Sequence, residues 1–193
     1  MDSTIKTGIL GYTELNDLID QGVIEGVARE SVNSNSINVT LGNTFLVEAE
    51  DFSSVNSQFY KPLEFSKRQS PNFITVEGSV LIPPGGFALA SLVERVNLPN
   101  DLVCMVMLRS SAARMGLEHA YAGFADSGYS GNLTLELKNF LRFNTIHLRG
   151  GDQVCQLVFH RGYPVPAGRC YASTGAKYSG DTGPQPIKQE HAK

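Results

Sequence analysis

Between residues 37 and 160 the chain alternates short apolar runs with breaks rich in Gly, Pro and Asn, and many apolar positions recur every second residue. A period of two puts alternate side chains on one face of a strand, so this stretch predicts β-structure. Ile37, Val39 and Leu41 open the series, and a Gly42-Asn43 turn is expected before a strand at 44–48. Strands are expected at 73–76, 80–82 and 87–92, with the turn Pro83-Pro84-Gly85-Gly86 between the last two. Leu102–Leu108 (LVCMVML) is apolar throughout, the pattern of a strand buried on both faces. Strands at 133–139, 146–148 and 154–160 complete the set, and Gly150-Gly151 separates the last two. A helical period occurs once, where Leu15, Leu18 and Ile19 share a face within residues 13–21. Thr13 is its expected N-cap and Gly22 its stop.

Many short strands with turn chemistry between them predict an all-β barrel or jelly roll with one N-terminal helix and short helical turns. The 193 residues suit one domain with a sizeable core. Residues 50–70 are polar and irregular and read as a long loop or arm. From residue 173 the chain turns polar and rich in Gly, Pro and Ser, so about 171–193 is expected to be a tail, disordered or ordered over a ligand.

Charge narrows the partners. A formal net charge of −3 argues against nucleic acid or an acidic membrane surface, so any phosphate recognition must rest on a few placed cations. Cys104, Cys155 and Cys170 stand far apart, and Cys104 and Cys155 lie in apolar runs, as core residues do. No Cys-x-x-Cys pair preceded by His-x-Glu is present, so the zinc-deaminase signature is missing and no zinc is expected. A sparse, odd cysteine count suits a reducing compartment. With no apolar stretch of roughly 20 residues and no basic-then-apolar leader, the expected location is the cytoplasm.

Three segments carry candidate chemistry. Arg109-Ser110-Ser111-Ala112-Ala113-Arg114-Met115-Gly116 follows the buried run. Its serines could cap a helix whose free N–H groups, with Arg109 and Arg114, meet an anion; equally, it could be an ordinary cap with two surface arginines. Asp126 sits in a Gly-bounded turn, where it could accept a sugar hydroxyl or close an Asx-turn, and Tyr129 could wall a base or simply pack. Glu136 shares a strand face with Thr134, opposite Leu133, Leu135 and Leu137. Facing solvent it is an ordinary surface carboxylate. Facing a cavity, it would lose solvation, its pKa would rise, and it would suit acid–base work.

Taken in order, Arg-Ser-Ser-x-x-Arg-x-Gly, Ala-Gly-Phe-x-Asp-x-Gly-Tyr-x-Gly and Thr-Leu-Glu-Leu resemble the dCTP deaminase family, in particular the branch that includes deaminases also hydrolysing the triphosphate. The likeness extends to residues 37–42, 87–101 and 151–159, and to Tyr171 and 176–183, covering about residues 8–185. It implies a distorted β-barrel or jelly roll of the dUTPase type, a homotrimer with active sites between subunits, and Mg²⁺ carried on the substrate triphosphate. It also implies that Arg109, Ser110, Ser111 and Arg114 contact phosphates or the catalytic water, with Ser111 and Arg114 counted as catalytic. Asp126 would bind the deoxyribose 3′-hydroxyl, and Thr134 and Leu135 would read the cytosine edge through their backbones. Ala122 would line the substrate site, and Gln156, Tyr171 and Lys177 would close on the triphosphate.

In this reading Glu136 activates water for attack at cytosine C4, with no metal at the base. The implied reaction is dCTP plus water to dUTP and ammonia, within a site for dCTP, dUTP or dTTP-type nucleotides. The alternatives are a bifunctional enzyme yielding dUMP and diphosphate, a pure dUTPase, or a non-catalytic trimeric nucleotide-binding protein. Ser111 and Glu136 favour deamination, because the related dUTPases typically carry Arg-Ser-Gly and lack a carboxylate at the Glu136 position. Two departures from the family stand out. The segment Glu118-His119-Ala120-Tyr121 is one residue shorter than in many members, and Asp181 replaces a common glutamine.

Overall fold

The computed structural model describes residues 7–48, 71–120 and 122–188. The arm expected at 50–70 lies outside the described residues, as do Tyr121 and tail residues 189–193. In chain order the elements are β1 (Gly8–Ile9), α1 (Tyr12–Asp20), β2 (Ile24–Glu25), β3 (Ile37–Val39), β4 (Leu41–Glu48), β5 (Phe73–Glu77), β6 (Ser79–Ile82), β7 (Phe87–Asn97) and β8 (Leu102–Leu108). They continue with α2 (Ser110–Arg114), β9 (Leu117–Glu118), β10 (Phe124–Ala125), β11 (Ser130–Asn139), β12 (Ile146–Arg149) and β13 (Cys155–Arg161). Short 3-10 turns occupy Arg29–Ser31, Ala167–Arg169 and Tyr171–Thr174.

The chain is mostly β, as its alternation requires, and every described strand pair is antiparallel. One sheet runs β1-β13-β8-β10, with β3 also on β13; a second runs β5-β4-β7-β11-β9, with β2 on β7; β12 and β6 form a separate pair. Phe45, Leu92, Leu135 and Leu137 from the second sheet and Leu102, Cys104, Leu157 and Phe159 from the first join one buried cluster. Two sheets around one core is the double-sheet logic of a jelly roll. Among the described residues, no continuous pairing closes them into a barrel. No helix among these residues is long and apolar enough to cross a membrane.

Several sequence expectations change in detail. Gly11, not Thr13, is the N-cap of α1, and its N–H donates to the Glu14 carboxylate at 3.2 Å; Thr13 falls inside the first turn. Gly22 ends the helix as expected, at φ +70°. Gly42 and Asn43 do not form a turn but lie within β4, where Leu41 faces Leu92 and Phe45 faces Ala90, a bulge that bends the strand without ending it. β8 is not buried on both faces: Met105 and Met107 are 36% and 44% exposed, while Cys104 and Val106, which alternate with them, are buried. Methionine is apolar wherever it points, so the run concealed the alternation. β7 extends beyond 92 to Asn97, because polar Glu94 is buried with its carboxylate accepting the Thr40 N–H at 2.9 Å.

Candidate active site

Glu136 lies near the middle of β11, where Leu135 and Leu137 on either side are buried in the core and force its side chain to the opposite face. That face is not open water. Glu136 is paired with Leu89 of β7, and Leu89 in turn with Leu46 of β4, so apolar side chains run beside the carboxyl. Leu89 is only 5% exposed although it points away from the core row. Desolvation by this burial pushes the Glu136 carboxyl up to about 7. Of the two readings its sequence position allows, the structure shows the desolvated one.

The far edge of β11 supplies the second feature. β7 pairs along almost the whole strand, whereas β9 meets β11 only at Lys138 and Asn139. Among the described residues, no strand covers that edge beside Thr134 and Leu135. The C-terminal segment partly takes its place. The Gly180 N–H donates to the Ser130 carbonyl at 2.7 Å, and the Asn132 N–H to the Asp181 carbonyl at 2.8 Å. Farther along, the Gln185 N–H donates to Thr134 Oγ1 at 3.1 Å. Gly131 makes this close approach possible: at φ +151°, a Cβ there would lie 3.1 Å from the Asp181 carbonyl oxygen. The tail through Lys188 lies along the strand that carries Glu136.

Tyr171 begins the returning segment. Its N–H donates to the Ser127 carbonyl at 2.9 Å, and its ring meets Tyr129 edge-on at a centroid distance of 5.5 Å. Tyr129 is 5% exposed, so it packs and walls no open base site in this chain. Lys177 follows on the same segment, and its carbonyl accepts from Lys188 Nζ.

The basic group occupies another place. Arg109 leaves β8 in extended conformation and is itself the N-cap of α2, without a side-chain capping bond; Ser110 and Ser111 sit inside the first turn rather than capping it. The Arg109 N–H donates to the Val154 carbonyl, and its Nη1 to the Gln153 carbonyl at 2.9 Å. Ser110, Ser111 and Arg114 are exposed. Nearby on β13, Gln156 accepts a 2.7 Å hydrogen bond from Ser36 Oγ. A cavity of about 280 Å³ beside α2 is lined by Ser111, Met115, His147, Asp152 and Gln153 over apolar side chains; Glu136 does not line it.

Asp126 is exposed in the turn after β10. Its neighbour Ala125 pairs with Cys104, five residues before Arg109, so strand rise alone separates them by roughly 17 Å. Ala122, also exposed, precedes β10 on the Arg109 side. No hydrogen bond between described residues joins Arg109, Ser110, Ser111 or Arg114 to Asp126 or Glu136. Within one chain the candidate residues therefore fall into two groups. Arg109, Ser110, Ser111, Arg114 and Gln156 form a basic and hydroxyl group around α2. Thr134, Leu135, Glu136, Tyr171 and Lys177 gather along β11 and the tail.

Sequence reasoning missed Leu89, which desolvates Glu136, and Lys188, which gathers the tail. Leu89 acquires its role from register, which no local pattern encodes. Lys188 is a lone cation in a polar stretch, though its position seven residues after Asp181 is a readable charge pairing.

Comparison with known proteins supplies the frame for this geometry. A family model described as dCTP deaminase-like matches residues 9–162. The "dCTP deaminase, dUMP-forming" of Methanosphaera stadtmanae is 34% identical over 189 residues, covering 93% of each chain. The dCTP deaminase of Haloarcula marismortui is 37% identical over 158 residues, 79% of this chain and 78% of its own. Among solved structures, the 2′-deoxycytidine 5′-triphosphate deaminase from Agrobacterium tumefaciens superposes with a TM-score of 0.61 at 19% identity over 81% of this chain. This chain spans 48% of that protein's length, and the likeness bears on the fold. The motif series, the two-sheet core and the match over residues 9–162 agree: this chain belongs to the dCTP deaminase-like family.

Proposed function

We propose that this protein hydrolytically deaminates dCTP, with Glu136 as general base and acid, and carries the product on to dUMP and diphosphate. The observation that carries the first step is the Glu136 carboxyl itself, half-buried in register with Leu89 and pushed up to about 7 by desolvation. A carboxyl poised there can both take and return a proton at neutral pH. Water gives its proton to Glu136 and adds to cytosine C4. Glu136 passes that proton to N3, takes the proton of the new C4 hydroxyl and delivers it to the exocyclic nitrogen; the C4–N bond breaks, and ammonia leaves with dUTP. The open β11 edge supports base reading by the backbones of Thr134 and Leu135.

In this reading Arg109 and Ser110 bind phosphates, Ser111 and Arg114 hold phosphate and the attacking water, and Asp126 receives the 3′-hydroxyl. Ala122 lines the sugar and base site, while Gln156, Tyr171 and Lys177 close on the triphosphate. The separation of Arg109 from the Asp126 turn along β8, with no hydrogen bond between described residues joining the α2 group to Asp126 or Glu136, favours completion by a second subunit, within a homotrimer. Among the described residues, no three or more His, Cys, Asp or Glu side chains converge on a point that could hold a metal ion. In this reading magnesium enters as part of the substrate, held by its phosphates.

The second step, dUTP plus water to dUMP and diphosphate, draws on relatives named dUMP-forming that share 34% and 33% identity with this chain over most of its length. Those names rank the two-step reading above the single deamination that Ser111 and Glu136 suggested from sequence. Product analysis after separate incubation with dCTP and dUTP tests both. Ammonia, dUMP and diphosphate from dCTP are expected. Accumulation of dUTP limits the enzyme to deamination, hydrolysis of dUTP alone removes Glu136 from its role, and binding without product makes the protein a nucleotide-binding module.

A further inference from the structure

Lys188 stands outside every motif considered above, yet its ammonium is the point on which the tail converges. Lys188 Nζ forms an ion pair with the Asp181 carboxylate and donates to the Lys177 carbonyl at 3.1 Å. It also lies 5.4 Å from the centre of the Tyr178 ring, a cation–π contact. Its backbone N–H meets the Tyr178 hydroxyl at 3.3 Å. One side chain thus ties residues 177, 178 and 181 into a closed loop. The loop is fastened to β11 through Gly180 to Ser130 and Asp181 to Asn132, and again through Gln185 to Thr134.

Asp181 makes this arrangement depend on the cation. Its side chain is 10% exposed, and its Oδ2 is buried without a hydrogen-bond partner. A carboxylate so placed is tolerated only beside a compensating charge, and removing that charge drives the segment back to water. The pairing also accounts for a departure noted in the sequence. A neutral glutamine at position 181 would need no cation, whereas the aspartate found here does.

We propose that Lys188 is a positioning residue that holds the Lys177-bearing loop closed over β11, and so sets the affinity of the site for its nucleotide triphosphate. This rests on the proposed function, because it takes Lys177 as a triphosphate contact. Lys188 itself need touch no substrate.

The full-length chain carrying Lys188→Met tests it with two readouts. Amide exchange at Gly180 and Asn132, measured without nucleotide, should accelerate as the loop releases. The KM for dCTP should rise on the order of tenfold, the scale of a lost partly buried charge pair, while kcat stays within about twofold. Lys188→Arg should restore both, and Lys188→Met combined with Asp181→Asn should recover part of the affinity by removing the stranded charge. Unchanged exchange, unchanged KM, or a double variant no better than Lys188→Met overturns the assignment, as does a fall in kcat alone. Wild-type protein that neither binds nor turns over dCTP overturns instead the functional reading, together with the nucleotide half of this inference; the exchange data then judge the loop alone.

Discussion

Glu136→Gln separates the cost of the candidate base from its use. Burial holds the folded-state carboxyl at about 7 against an ordinary value of 4.5. At ~1.4 kcal/mol per pH unit, that difference corresponds to about 3 kcal/mol. The folded value is the raised one, so the native state binds the proton more tightly than the unfolded chain. Glu136 therefore costs nothing below about pH 4, and stability falls as pH rises from 4.5 to about 7. Above that, the full penalty remains. Glutamine has nearly the same shape and no charge to desolvate. Unfolding by urea should then show wild type and Glu136→Gln equally stable near pH 4, with the variant ahead by about 2–3 kcal/mol at pH 8. Over the same change dCTP turnover should fall by at least about 10²-fold, the usual scale for a lost general acid–base. A variant that is less stable at pH 8, or whose advantage does not grow with pH, would refute the claim that this carboxyl is desolvated. Retained turnover would refute its catalytic assignment.

The pH dependence of wild-type kcat/KM should show its acidic limb near 7 rather than near 4.5, since Glu136 must be ionised to accept a proton from water; a limb near 4.5 would assign the step to an ordinary, solvated carboxylate. Arg114→Ala and Glu136→Gln, each inactive alone, should regain activity when unfolded and refolded together, because about a quarter of sites shared between two subunits then draw both intact halves. No recovery in chains shown to mix would place both residues in one subunit's site. Gly131→Ala should lower the unfolding midpoint by an amount corresponding to about 1–3 kcal/mol and loosen the tail, because φ is +151° and the new Cβ would meet the Tyr129 hydroxyl at 2.9 Å. A neutral effect in thermal unfolding would mean that the tail does not pack there. A chain ending at Cys170 should lose nucleotide affinity while keeping the oligomeric state of the full chain by sedimentation; a monomer would make the tail an assembly element instead.

What the sequence disclosed divides along a physical line. Alternation every second residue placed β3, β6, β12 and β13 almost to the residue, because each buries alternate side chains, although the exposed position of β6 is the apolar Leu81. It failed at β8, where Met105 and Met107 carry apolar chemistry on an exposed face, and at β7, where buried Glu94 made a core position read as polar. The candidate residues of the α2 group and of β11 were all visible as motifs. Their environments were not. Whether Glu136 meets water or Leu89 depends on the register between β11 and β7, and whether the tail orders depends on backbone bonds to Ser130 and Asn132, to which side-chain identity contributes little. The approach at Gly131 could be read only as a glycine of unstated purpose.

Two carboxylates beside β11 show how the same cost is met in opposite ways. Asp181 is buried beside a cation supplied seven residues later, and the two form an ion pair. Glu136 has no ion pair among the described residues, and desolvation is the leading influence on it, so it is relieved by taking up a proton. A carboxylate locked to a lysine would make a poor proton carrier, because the cation stabilises the very form that must accept and then release H⁺. A carboxyl relieved by protonation sits near the pH at which both forms are populated, as acid–base work requires. Placing a cation beside Glu136, for instance by Thr134→Lys, should therefore hold it ionised, remove the stability penalty above pH 7 and still suppress deamination. Turnover that survives such a change, with the acidic limb of its pH profile still near 7, would show that the proton is carried by some other group.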